Sequence, residues 1–301
     1  MFISRRTALT STLALAASST AATAQDWKAK YPELVFAVIP AENASGVTER
    51  FAPMMAYLAK ELGTKVTLRI AQDFAALIEG QKAGQIHIGY YGPASYARAT
   101  IVGAKIEPFV IDVNADGTKG YYSVFYVKKD APYQKIEDLK GKNIGLVDPN
   151  STSGNNMPRF ALNQMGIDTD KFFGNVVYTG SHENAVTALG QGTVDVAANF
   201  WVSADDSNLT RMAKKNMAKV EDFRIIFKSP LIINGPTAML SDMPQDLKDA
   251  ITKAFIDAAK NDKAAFDMLS DGKNKPFEAV KADAYAETID MVKFVDTLRK
   301  K

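Results

Sequence analysis

The 301-residue chain has no cysteine. It can therefore form no disulfide, use no thiolate as nucleophile, and carry no lipid on an N-terminal cysteine. Histidine is almost as scarce, with only His87 and His182, and no His/Asp/Glu cluster has the spacing of a metal site. No run approaches the roughly 18 uninterrupted apolar residues that a spanning helix requires. A basic run with interleaved aromatics, the footprint of nucleic-acid binding, is also missing. Neither the Gly-x-x-x-x-Gly-Lys phosphate loop nor the Gly-x-Ser-x-Gly elbow occurs. These absences leave no sign of a cofactor, a resident metal or a nucleic-acid partner, and little on which to build catalysis.

What is present at the N-terminus speaks of export. Arg5-Arg6 precedes an Ala/Leu-rich run, and Ala22-Thr23-Ala24 offers a small-residue cleavage site before Gln25. The combination reads as a bacterial signal peptide over residues 1–24, cleaved near Ala24, by the twin-arginine (Tat) or the Sec route. The segment holds two arginines and no acid, so the formal charge of +2 belongs to it and the remainder is neutral. Export without a lipid anchor places the expected product, as a soluble protein, in the periplasm. The length that remains favours two domains over one.

Beyond the signal, strand and helix patterns alternate. Val35–Ile39 reads as a strand, and Val47, Phe51, Met54, Met55, Leu58 and Leu62 fall at helical spacing before Gly63. Further strands are expected at 65–70 and 86–91, with helices at 74–83 and from Pro93 to about Val102. Tyr121–Val127 reads as a strand leading into a second unit with strands at 143–147, 175–179 and 194–198. Helices are expected there at 155–165, 183–190 and about 205–218. The expected fold class is α/β, a two-lobed binding protein with a mainly parallel sheet in each lobe flanked by helices. Lobe 1 is assigned 25–126 plus 230–301, and lobe 2 is assigned 127–229. The last forty residues are expected to add helical packing.

Ligands in such sheets sit beyond the carboxyl ends of the strands. Four segments fall there: Pro40–Asn43, Tyr90–Gly92, Asp148–Gly154 and Ser181–Asn184. The third is the most informative. An apolar strand, Asn143–Val147, breaks into Ser151-Thr152-Ser153 just before a helix with Pro158 in its first turn. Hydroxyls and unpaired backbone N–H groups at a helix start suit a tetrahedral oxyanion.

On these residues the chain resembles the periplasmic phosphonate- and phosphite-binding proteins of the PhnD type, components of ABC importers. The resemblance is carried by Asp148–Gly154, by Ser181–Ala185 followed by Val194–Ala197, by Ala115–Gly117 with Gly120–Val124, by Tyr91-Gly92 and by Lys228–Ile232. It implies that Ser151, Thr152 and Ser153 hold the ligand's oxygens, with His182 donating to the same group. Tyr121 would supply a phenol or a cleft wall, and Tyr91 would close the site from the other lobe. Asn199, Trp201 and Phe74 complete the implied ligand-binding set. The partners implied are a small oxyanion, phosphite or a phosphonate, and an inner-membrane permease driven by a separate ATPase.

Three segments depart from the family pattern. Phe200-Trp201-Val202 and Ile233–Pro236 stand where aminoethylphosphonate binders carry acids, and Phe74 replaces a tyrosine. An ammonium buried without a carboxylate is costly, so a small or absent substituent on phosphorus is expected, over an apolar face of Phe74, Trp201 and Val202. Asp205 and Asp206 are expected to be solvated. The chain lacks the long C-terminal helices of some members, and a monomer is expected. The expected function is therefore capture of phosphite or a small phosphonate, without catalysis. A phosphonate/phosphate-type hydrolase, with His182 and Glu183 as base and Ser151 or Ser153 as nucleophile, is the competing reading. A sensor-linked oxyanion-binding protein would use the same cleft.

Overall fold

The computed structural model describes residues 27–299; the signal peptide and its cleavage site lie outside them. Thirteen strands are described: β1 Glu33–Val38, β2 Lys65–Ile70, β3 Ile88–Tyr90, β4 Ile106–Asn114, β5 Gly120–Lys128, β6 Asn143–Leu146, β7 Asn175–Tyr178, β8 Val196–Ser203, β9 Asp206–Ser207, β10 Phe223–Lys228, β11 Ile232–Ile233, β12 Pro236–Leu240 and β13 Asn274–Ala279. They form two sheets, one per lobe. The first runs β13-β4-β12-β3-β1-β2, and the second runs β10-β5-β8-β6-β7, with β11 on β5 and β9 on β8.

Each sheet has a parallel centre and antiparallel flanks. β1 pairs in parallel with β2 and β3, and β6 with β7 and β8. The antiparallel partners are the strands that carry the chain between lobes or return it: β4, β12 and β13 in the first sheet, β5 and β10 in the second. This explains why periodicity finds the parallel strands and β5 but misses β4, β12 and β13. β4 contains Pro108, β13 is an edge strand with Pro276 and charge, and β12 is only five residues long. Instead of a purely helical tail, the last forty residues contribute β13 to the first sheet.

The chain leaves the first sheet between Asn114 and Gly120, and all of β5 pairs inside the second. A boundary at 126/127 would cut that strand. The return falls between Ile233 of β11 and Pro236 of β12. Gly235 lies in this crossing, and a Cβ there would sit 1.8 Å from the Tyr91 carbonyl oxygen. Only glycine allows that approach.

Helices entering the cleft have well-defined starts. Asn43 caps helix Ala44–Leu62 by accepting from the Gly46 N–H at 2.9 Å. Ser181 caps His182–Gln191 through the Asn184 N–H at 3.1 Å. Separate cores lie under the sheets. One is built around Phe36, Phe51, Leu58, Met239 and Phe255, another around Phe125, Ile144, Leu146 and Val196. Where a helix was expected over 205–218, the chain forms β9 and then a short helix, Asn208–Lys214. Pairing with β8 holds Asp206 and Ser207 in β9, and Ser207 with Thr210 then forms a capping box that starts the helix three residues late.

Candidate functional site

Ser151–Asn156 forms the floor of the interlobe cleft, and all six residues are buried. Ser151 Oγ accepts from the Gly154 N–H at 3.0 Å, which starts a π-helical turn over Thr152–Asn156 before helix Met157–Gln164. Such wide turns recur at functional sites. Here the turn leaves the Thr152 and Ser153 amides without a protein acceptor among the described residues. Gly154 lets the turn lie against β6, since a Cβ would meet Val147 at 2.4 Å. Ser123 Oγ donates to the Ser153 carbonyl at 2.7 Å and holds the turn in place.

The Tyr121 phenol hydrogen-bonds Thr152 and Ser153, and burial pushes its pKa up to about 12, so it remains a donor at neutral pH. His182, at the start of its helix, is held from behind: Asn199 Nδ2 donates to its carbonyl at 2.9 Å, and its ring meets Phe200 edge-on at 5.1 Å. Burial lowers the His182 pKa to about 4, with the Asn199 contact opposing the shift. The ring is therefore neutral at physiological pH, and its buried Nδ1 has no hydrogen-bond partner. A neutral imidazole carries one N–H, which an oxyanion in the cleft would accept.

The lobes meet over this floor. Thr152 Oγ1 accepts from the Ala94 N–H at 2.8 Å, at the start of helix Pro93–Ile101 in the facing lobe. The His182 N–H donates to the Ala41 carbonyl at 3.2 Å, and Asn43 donates from its backbone to Glu183 Oε2 at 2.8 Å. Lys215 spans the gap, 2.7 Å from Glu42 and 3.2 Å from Glu183. These contacts border a cleft cavity of about 160 Å³ that is partly open to solvent.

Of the residues singled out in the sequence, Tyr91, Tyr121, Ser153 and His182 line the cavity. Tyr91 does so with its ring turned away: its hydroxyl donates to Gln81 Oε1 at 2.7 Å in the core. Ser151 and Thr152 lie in the floor as turn-former and interlobe acceptor. Asn199 is fully buried and positions His182. Phe74 and Trp201 are elsewhere. Phe74, 1% exposed, inserts into the lobe 2 core with Val124, Val147 and Val186. Trp201 packs on Tyr122, 5.9 Å between centroids, with Lys228 over its ring. Of the apolar face expected from Phe74, Trp201 and Val202, only Val202 reaches the cavity, joined by Phe200, Phe51 and Val47.

The expectation of a solvated Asp206 is also corrected. Asp206 is 8% exposed, lines the cavity and pairs with Arg211 at 3.3 Å, because β9 folds back on β8 and turns it inward. Sequence reasoning missed Arg50, Asp112, Arg211, Ser270 and Asn274 in the lining, although it placed Tyr90 in a segment at a strand end. The one signal was Arg50 three residues after Val47 and next to Phe51, on the apolar face of its helix. Arg211 and Asp112 gave none, since their strands and helix enter the cleft only through the crossings.

A family model described as "ABC transporter, phosphonate, periplasmic substrate-binding protein" matches residues 36–285. The phosphonates-binding periplasmic protein of Escherichia coli is 31% identical over 242 residues, covering 78% of this chain and 70% of that protein. A phosphate-import protein of Mycolicibacterium smegmatis is 27% identical over 238 residues, covering 76% of this chain and 73% of its own. In three dimensions, a binding component of a phosphonate ABC transporter from Pseudomonas aeruginosa superposes with a TM-score of 0.79 at 25% identity, covering 89% and 88% of the two chains. The chain is thus a substrate-binding protein and not an enzyme, and it belongs to the family of periplasmic phosphonate-binding components of ABC transporters.

Proposed function

We propose that this protein captures phosphite or a small phosphonate in the periplasm and delivers it to an inner-membrane permease powered by a separate ATPase. One observation carries the reading: Ser153 of the buried Ser151–Asn156 turn lines one cavity together with His182 and Tyr121. Two free amides, the Ser153 hydroxyl, a phenol and a neutral imidazole are donors without a buried counter-charge of their own. Such a set favours an oxyanion, and the partly buried cleft strengthens each bond relative to bulk water. Ser151 and Thr152 act by shaping the turn, and Asn199 by positioning His182.

The relatives diverge in cargo, one named for phosphonates and the other for phosphate import. The choice of phosphite or phosphonate over phosphate rests on Phe51, Phe200 and Val202 in the lining, against which a fourth P–O group loses hydration. Aminoethylphosphonate is disfavoured because the cavity carboxylates are already engaged: Asp112 by Tyr90 and Asn274, Asp206 by Arg211. Calorimetry with phosphite, methylphosphonate, aminoethylphosphonate, phosphate and sulfate tests the reading. One-to-one binding of phosphite or methylphosphonate at micromolar Kd or tighter is expected, corresponding to roughly −8 kcal/mol. Phosphate as the tightest ligand would overturn the assignment.

A further inference from the structure

The cavity has a second end that the oxyanion floor does not use. Arg50, Tyr90, Asp112, Asp206, Arg211 and Asn274 line it. Phe200 separates the two ends, with the His182 ring 5.1 Å from its centroid and the Arg211 guanidinium 5.4 Å from it. Two arginines in one small cavity repel each other and lose hydration, which lowers the Arg50 pKa, burial being the larger cause. Stability alone does not account for such a pair, since buried ionic groups seldom outperform apolar packing.

The donors are not exhausted. Arg211 makes one hydrogen bond among the described residues, from Nη2 to Asp206 Oδ1 at 3.3 Å. Arg50 donates from Nη1 to the Leu269 carbonyl at 2.5 Å and from Nη2 pairs with Glu42 at 2.5 Å, while its buried Nε has no partner. A guanidinium offers five N–H donors. The acids at this end each already hold a partner. Asp112 accepts from the Tyr90 hydroxyl at 2.7 Å and from Asn274 at 3.0 Å, Asp206 holds Arg211 and Lys273, and Glu42 holds Arg50 and Lys215. Burial raises the Asp112 pKa, opposed by the Tyr90 and Asn274 hydrogen bonds and by the charges of Arg50 and Arg211. What remains open at this end is positive and planar, the geometry that recognises a carboxylate.

We propose that Arg50 and Arg211 form a second anion subsite, and that the ligand is a small phosphonate bearing a carboxylate on a short carbon chain, spanning the cavity past Phe200. This rests on the phosphonate reading and selects within it, replacing phosphite by a phosphonocarboxylate. The oxyanion floor takes the phosphonate, and the arginine pair takes the carboxylate.

The test is calorimetry of the mature protein with methylphosphonate, phosphonoacetate and 3-phosphonopropionate, repeated on Arg211→Gln and Arg211→Lys. The parent is expected to bind one phosphonocarboxylate at least tenfold tighter than methylphosphonate. In Arg211→Gln that ratio should fall to about one, and Arg211→Lys should restore part of it. A parent that binds methylphosphonate as tightly as both phosphonocarboxylates overturns the second subsite and leaves the phosphonate reading standing. A parent that binds none of the three overturns the phosphonate reading itself. Equal losses for methylphosphonate and phosphonocarboxylates in Arg211→Gln would mean the arginines hold the phosphonate, and this also overturns the assignment.

Discussion

His182 is the residue at which burial, charge and ligand binding meet. Its pKa falls from the ordinary 6.5 to about 4 because burial disfavours the cation. The unfolded chain therefore takes up a proton near pH 6.5 that the folded protein refuses until about pH 4. The stabilisation from keeping this ring neutral is fully present above pH 6.5 and is lost as pH falls toward 4, a change of about 3 kcal/mol. Urea denaturation of the parent and of His182→Gln between pH 4 and 7 checks this. The pH slope should flatten in the variant, and an unchanged slope would place the shift elsewhere. Thr152 makes a second residue-scale prediction. Its hydroxyl joins Tyr121 to the Ala94 N–H of the other lobe, so Thr152→Ala should weaken phosphonate binding by roughly 0.5–1.5 kcal/mol. Folding should be retained, as circular dichroism would show; calorimetry finding parental affinity would refute it.

At the scale of elements, three helix starts and one short helix decide whether the cleft is open or closed. The starts at Ala44, Pro93 and His182 bring Asn43, Ala94 and Glu183 into interlobe contact. Helix Asn208–Lys214 ends beside Lys215, which ties Glu42 to Glu183. Both carboxylates are about 5% exposed or less, whereas the Lys215 side chain is 28% exposed, so the tie is partly screened. Lys215→Met is expected to remove about 1–3 kcal/mol from the closed form, less than the loss of a fully buried partner. Small-angle scattering should show a larger radius of gyration without ligand and contraction to the parental value with saturating ligand. A variant as compact as the parent without ligand would show that the tie does not govern closure. Part of this layer was readable from the chain: the Gly63 stop, the Ser-Thr-Ser break and His182 at a helix start all sit at residues whose local chemistry marks them. The late start of the 208–214 helix was not, because β9 forms only by pairing with β8.

For the whole molecule, two sheets joined by crossings at 114–120 and 233–236 make a hinge-and-clasp device of the kind that closes around ligands. We expect a monomer. Multi-angle light scattering of the mature chain at micromolar concentration should give a single-chain mass with and without ligand, and twice that mass would overturn the expectation. Ligand that binds only the folded state should also raise the melting temperature, because saturation at a hundred times Kd adds about 2.7 kcal/mol.

Local chemistry along the chain sufficed for the α/β alternation, the central strands, the Ser151–Ser153 oxyanion turn and His182 at a helix start. Each of these depends on neighbours within a few residues, so periodicity, caps and turn chemistry reveal it. The export signal expected from Arg5-Arg6 and Ala22–Ala24 lies outside the described residues. The character of the other end of the cavity was decided by tertiary structure alone. Phe74 and Trp201 look like cleft residues in sequence, but the first fills the facing lobe's core and the second stacks on Tyr122. Arg50, Asp112 and Arg211 stand more than fifty residues apart and look like ordinary surface charges. Only the crossing of β4, the helix at 44–62 and the helix at 208–214 brings them to one cavity. Long-range assembly sets which side chains lose water together, and no local pattern records it.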